Sequence, residues 1–190
     1  MSLVPAFHIG LWNAWLFMII YPLQWLAVVV VPKNVAERTS RAPDIISGRR
    51  DRVMAIFTQG LWIGATLYSI FLPLQTGEIW MWVGLALFVI GLSILISATV
   101  AVAFTPKGSP FSSGIYRFSR HPMYLSMFLV YIAAGIAAAS WLFFLITLAT
   151  YFLQRYQAIK EEKYCCEQLG RAYKDYIART PRWLGIPKTV

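Results

Sequence analysis

The chain has 190 residues, of which 58% are hydrophobic, 16% aromatic and 13% charged. An ordinary soluble domain carries about 25% charged and about 45–50% apolar residues, so lipid is the expected main solvent and a disordered chain is excluded. The net charge of +9 comes from 17 Lys and Arg against 8 Asp and Glu, and their position must decide between nucleic acid and a membrane surface.

A transmembrane helix needs about 20 mainly apolar residues. In chain order, Ile9–Val31, Val53–Leu74 and Ile79–Phe104 are uncharged, and Pro122–Ile159 carries the single cation Arg155. The last run is too long for one span. Ala137-Ala138-Ala139-Ser140 reads as its hinge, giving a helical hairpin and five spans in all. Period-2 alternation is absent, so strands are not expected. The fold class is therefore an all-α integral membrane protein with about five transmembrane helices.

The cations set the orientation. Lys33, Arg38, Arg41, Arg49, Arg50 and Arg52 lie between spans 1 and 2, and Lys107, Arg117 and Arg120 between spans 3 and 4. The other eight run from Arg155 to Lys188, at or beyond the end of span 5. All fall on one side, which the positive-inside rule assigns to the cytoplasm, with the N-terminus outside. Topology thus explains the charge, and no nucleic-acid partner is expected. The first span reads as a retained anchor and not a signal peptide. Trp12, Trp80, Trp82, Trp141 and Trp183 suit the aromatic belt. Residues 1–104 form three spans with a basic connector at 32–52. Residues 105–190 form a catalytic region: a loop (105–121), a helical hairpin (122–160), and a C-terminal helix and tail (161–190).

Adjacent Cys165 and Cys166 give neither a disulfide framework nor a CxxC pair. With His8 and His121 the only histidines, no metal centre is expected. No P-loop, GxGxxG or nucleophile elbow is present.

Two cytoplasmic segments carry possible chemistry. Thr105–Pro122 is rich in Gly and Pro, and delivers Lys107, Tyr116, Arg117, Arg120 and His121 to the first turn of the next span. A helix N-terminus preceded by Arg and His suits an anion; the plainer reading is a loop that binds lipid phosphate. The second segment is the exit of span 5. Glu167 and Asp175 have Arg171 and Arg179 four residues on, in the favoured acid-first order. Glu161 and Glu162 have no cation three or four residues away. Acids leaving an apolar span require a partner from outside their own turn. The candidates are the Arg120–His121 loop, Arg155 and a cationic ligand; the alternative is two exposed acids at the lipid interface.

Arg120-His121-Pro122-Met123-Tyr124, followed by Glu161-Glu162 and by Gly170, Tyr173, Tyr176 and Pro181, resembles the isoprenylcysteine carboxyl methyltransferase family. That family in turn resembles the phospholipid methyltransferases and, more distantly, the C-terminal part of the sterol reductases. The resemblance covers roughly Lys107–Pro181. It implies a membrane enzyme that uses S-adenosylmethionine, releases S-adenosylhomocysteine and needs no metal. Its cofactor site would comprise Lys107, Gly108, Ser109, Pro110, Tyr116, Arg120, His121, Pro122, Met123, Tyr124 and Glu161. The chain departs from the family at Ser126, where members often carry Gly, and at Gln157, where eukaryotic members tend to carry Arg.

The residues agree with that expectation on chemical grounds. Glu161 suits the cofactor ammonium, while Arg120 with the helix N-terminus suits its carboxylate. Tyr116 and Phe118 are placed to flank adenine. A lipid-tailed small molecule or a prenylated peptide or protein would arrive sideways from membrane lipid. A prenylcysteine carboxylate is already ionised near pH 7, so alignment and not a strong base carries the reaction. Arg155, Gln157 and Glu162 are the expected catalytic or acceptor-orienting residues, with Arg155 steadying the acceptor carboxylate. The competing expectations are N-methylation of a phospholipid amine, a sterol-type reductase, and a scaffold without activity.

Overall fold

The computed structural model describes residues 7–21, 45–46, 48–106 and 108–188, and among these it shows six α-helices and no strand. They are α1 (Trp15–Met18), α2 (Arg49–Ser69), α3 (Ile79–Phe104), α4 (Pro122–Ala137), α5 (Trp141–Leu169) and α6 (Arg171–Arg179), with a 3₁₀ turn at Gly114–Arg117. Lys107, residues 22–44 and hence most of the 32–52 connector lie outside the described residues.

Among the described residues, α3 alone is long and apolar enough to cross a bilayer by itself. Its 26 residues span about 39 Å at 1.5 Å per residue, more than a hydrocarbon core of about 30 Å. α4 is a shorter apolar helix. Hydroxyls inside the helices return their protons to the preceding turn: Thr58 to Met54 O at 2.8 Å, Ser93 to Val89 O at 2.8 Å and Thr147 to Phe143 O at 2.9 Å. Such bonding removes the penalty that lipid places on an unpaired polar group.

The α3–α4 contact is built on missing side chains. Gly84, Gly91 and Ala98 recur every seventh residue on α3, and all three are buried. A Cβ at Gly84 would lie 2.7 Å from Ala133 O and 2.7 Å from the Ala137 Cβ. At Gly91 the nearest neighbours would be 3.2 Å away. Small residues let the two backbones approach, the usual basis of helix association in lipid. Ser126 uses the closeness, donating across to Gly91 O at 2.8 Å.

α4 ends where the alanine run predicts a hinge. Ala139 takes φ +51, and the Ser140 hydroxyl caps α5 by accepting from Phe143 N at 3.3 Å. A serine N-cap satisfies an orphan amide of the first turn.

Three boundaries differ from the sequence expectation. α2 starts at Arg49, so Arg49, Arg50, Asp51 and Arg52 are helical and not part of a connector. It ends at Ser69, and the following residues pair with the N-terminal segment: Ala14 N to Leu72 O at 2.8 Å and Leu74 N to Trp12 O at 2.9 Å. Within the expected first span, α1 covers Trp15–Met18 and Ile20–Tyr21 are helical again where the described residues stop; ahead of α1, the Asn13 amide donates to the carbonyls of His8 and Ile70 at 2.5 and 2.7 Å and anchors a turn. Finally, α5 runs unbroken past Lys160 to Leu169 before Gly170, at φ +56, turns the chain into α6. That break removes the helical register between Glu167 and Arg171. Lys163 lies 3.9 Å from Glu167 instead.

Candidate active site

Pro122 opens α4 at a position where the missing amide proton costs nothing. This fixes Arg120 and His121 at the mouth of the hairpin, opposite the later turns of α5. His121 Nε2 lies 3.0 Å from Glu162 Oε1, and Arg120 Nη1 lies 3.4 Å from Glu162 Oε2. Both His121 and Glu162 are deeply buried, at 7% and 6% exposure. The acid thus finds its partners outside its own helix.

The tail supplies another. Arg182 grips Glu162 with two parallel bonds, Nε to Oε1 at 2.9 Å and Nη2 to Oε2 at 2.7 Å. A bidentate guanidinium–carboxylate pair is the strongest arrangement of this type. Burial alone would raise the Glu162 pKa. Hydrogen bonds from His121 and Arg182 and the charge of Arg120 outweigh it, holding the carboxyl at about 2 against an ordinary 4.5. The same bonds raise the pKa of Arg182.

The tail is tied down around this pair. Arg120 N donates to Pro181 O at 3.0 Å and Gly185 N to Phe118 O at 3.0 Å. His121 N donates to the Ser119 hydroxyl at 3.1 Å, and that hydroxyl donates to Arg182 O at 3.4 Å. Tyr176, on α6, donates to Tyr116 O at 2.8 Å. Burial raises the pKa of Tyr116, Tyr173 and Tyr176, so all three stay neutral.

Glu161 faces a different environment. It accepts from the Tyr124 hydroxyl, and its Oε2 lies 3.7 Å from His121 Nδ1. The His121 ring stacks on Tyr124 at 5.6 Å. The two ring nitrogens of His121 therefore address the two acids separately. Glu161 also lines a shallow, open crevice with Ile45, Ile46, Asp51, Met54, Tyr156 and Lys160. There Asp51 accepts from Tyr156 at 2.5 Å and from Lys160 at 3.2 Å. Burial and the nearby Glu161 charge push the Cys165 thiol up to about 11, which favours its protonated form at neutral pH.

Arg120, His121, Pro122, Tyr124, Glu161 and Glu162 are thus brought together, with Tyr116 tied to them through Tyr176. Met123 packs instead against the cluster of Ala98, Ala101, Val102 and Tyr116. Gly108, Ser109 and Pro110 lie farther along the loop, where Gly108 takes φ +79 and Ser109 N binds Pro106 O at 3.3 Å; the Glu162 cluster is assembled without them. Arg155 is exposed and stands outside that cluster. Gln157 is buried with its amide on the Thr58 hydroxyl at 3.0 Å, which ties α5 to α2. Arg182 is the member of the cluster that the sequence pattern does not single out.

Among the described residues of the cluster, one buried polar atom has no hydrogen-bond partner, Arg120 Nε. A buried donor of this type requires an acceptor. An anionic group would meet the orphaned Arg120 donor, and the Glu161 carboxylate has the charge that a cationic group would need.

No curated protein and no solved structure matches the chain. Residues 79–172, which run from the start of α3 to the start of α6, match the family model of the phospholipid methyltransferases. That stretch contains the Arg120–Tyr124 corner and both acids, and this region of the chain belongs to the phospholipid methyltransferase family, which includes the isoprenylcysteine carboxyl methyltransferases.

Proposed function

We propose that this membrane methyltransferase moves the methyl group of S-adenosylmethionine onto the carboxylate of a lipid-tailed acceptor, with prenylcysteine as the model compound. The observation that carries the reading is the division of labour between the adjacent acids. Glu162 is consumed by Arg120, His121 and Arg182, whereas Glu161 faces the crevice. When bound, the cofactor supplies an electrophilic methyl on a sulfonium centre. The chain supplies placement. Arg120, at the N-terminus of α4, holds the carboxylate end, Glu161 with Tyr124 holds the ammonium, and the neutral tyrosines form a wall. Glu162 locks the loop to the helix and keeps His121 oriented. With the acceptor already ionised, the contribution of the site is alignment of two reactants from different solvents. Five spans, an outside N-terminus and a cytoplasmic site belong to the same proposal; the soluble cofactor and the one-sided cations support them.

A second reading has its own support. The matching family model is that of the phospholipid methyltransferases, and the crevice beside Glu161 already holds one ammonium, that of Lys160 on Asp51. Methylation of a phospholipid amine needs that amine deprotonated first, so its rate rises with pH through the amine pKa. The deciding experiment supplies the reconstituted protein with methyl-labelled cofactor and either a prenylcysteine analogue or phosphatidylethanolamine. Label in a base-labile ester, with a flat rate between pH 7 and 9, supports the first reading. Label in the amine, with a steep pH dependence, replaces it.

A further inference from the structure

The strap that carries Arg182 also carries a surface that the site does not use. Leu184 is 67% exposed and Ile186 is 88% exposed. Phe118, 44% exposed, is held beside them because its carbonyl accepts from Gly185 N at 3.0 Å. Three exposed cations belong to the same segments: Arg117 next to Phe118, Arg179 at the end of α6, and Lys188, whose amide donates to Arg179 O at 2.8 Å. Asp175 is the one acid of α6. Apolar side chains rimmed by cations are the signature of a chain that lies in the headgroup region of an anionic leaflet.

The strap is also joined to the apolar run. The Trp183 ring, between Arg182 and Leu184, sits 6.0 Å from His121 and 5.4 Å from Tyr151. Tyr151 precedes Glu162 on α5 by about 16 Å at 1.5 Å per residue, on the side of the apolar run. Tyr151 in turn packs on Phe128 of α4 at 5.2 Å. An aromatic ladder therefore leads from the strap to the apolar part of the helices, with Leu184 next in the chain to its first ring.

We infer that Phe118, Leu184 and Ile186, with Arg117, Arg179 and Lys188, form an interfacial docking surface for anionic phospholipid. The strap is then gripped from both sides, by the leaflet through its apolar residues and by Glu162 through Arg182. The inference rests on membrane residence alone and is independent of the reaction catalysed.

The test reconstitutes the full chain, with isotope-labelled Leu and Ile methyls, into nanodiscs of phosphatidylcholine with or without phosphatidylglycerol. The Leu184 and Ile186 methyl resonances are followed as a nitroxide-bearing lipid or a soluble gadolinium chelate is added. Broadening by the nitroxide lipid, protection from the chelate, and a larger effect with phosphatidylglycerol are expected. The Arg179→Gln/Lys188→Gln double variant should lose the dependence on lipid charge while its other methyl resonances stay in place. Broadening by the chelate with none from the lipid would overturn the inference and mark the face as a protein-binding surface. An effect independent of lipid charge in the unsubstituted chain would overturn the anionic specificity.

Discussion

Replacing Arg182 with alanine removes both arms of the bidentate bond to Glu162 and leaves a buried carboxylate with His121 and Arg120. The Glu162 carboxyl sits at about 2 against 4.5 in the absence of the fold. At about 1.4 kcal/mol per pH unit, that gap contributes about 3 kcal/mol to the folded state. His121, Arg182 and Arg120 share it, and the Arg182 side chain is 32% exposed, so water replaces part of what it gives. A loss of about 1.5–2 kcal/mol follows at pH 7, or about 4–6 °C in midpoint for a chain of this size. The pH dependence identifies the cause. A carboxylate with a depressed pKa adds stability above its unfolded value of 4.5 and loses that contribution as pH falls towards about 2. The difference between parent and Arg182→Ala, read by thermal unfolding in a non-ionic detergent, should be full at pH 7 and close between about pH 4.5 and 2. Arg182→Lys keeps the charge without the fork and should recover part of the loss. Equal midpoints at pH 7, or a gap that persists unchanged to the acid limit, would refute the reasoning.

Two further outcomes follow from the geometry. Gly84→Ala places a methyl 2.7 Å from Ala133 O and from the Ala137 Cβ, forcing α3 from α4 at a cost of about 1–3 kcal/mol. Gly91→Ala, with contacts of 3.2 Å, should cost less, and denaturant titration of the two variants side by side checks the order. Tyr124→Phe removes the hydroxyl donor to Glu161. It should weaken S-adenosylhomocysteine binding by about threefold to tenfold while lowering stability by no more than about 1 kcal/mol; unchanged binding in calorimetry would separate Glu161 from the cofactor.

Much of the site is legible in the amino-acid sequence. Glu161 and Glu162 stand without a cation in helical register at the exit of an apolar run, and burial makes such acids seek partners elsewhere. Arg120 and His121, fixed before the helix-starting Pro122, are the available ones. Arg182 escapes this logic because it reaches Glu162 across the Gly170 turn and the whole of α6, and no spacing rule spans a chain reversal. Arg155 illustrates the converse. It is the cation inside the apolar run and so attracts a functional reading; on α5 its side chain is exposed, and the acid lock is closed by the tail without it. The α3–α4 contact is open to sequence reading in principle, since Gly84, Gly91 and Ala98 recur with a period of seven. Hydropathy alone passes over it because glycine and alanine do not interrupt an apolar run. Helix ends are harder: local hydrogen bonds from Asn13, and backbone pairing of 12–14 with 72–74, fix turns where composition shows only continuous apolar sequence.

Calorimetric titration of S-adenosylhomocysteine into the reconstituted chain tests most directly whether the Arg120–Tyr124 corner and the acids of α5 hold the cofactor. The parent protein should bind, and Glu161→Gln and His121→Ala should each weaken binding by about tenfold or more, the weight of a charge-assisted hydrogen bond. No heat of binding at millimolar ligand, or equal affinity in all three proteins, would contradict the account.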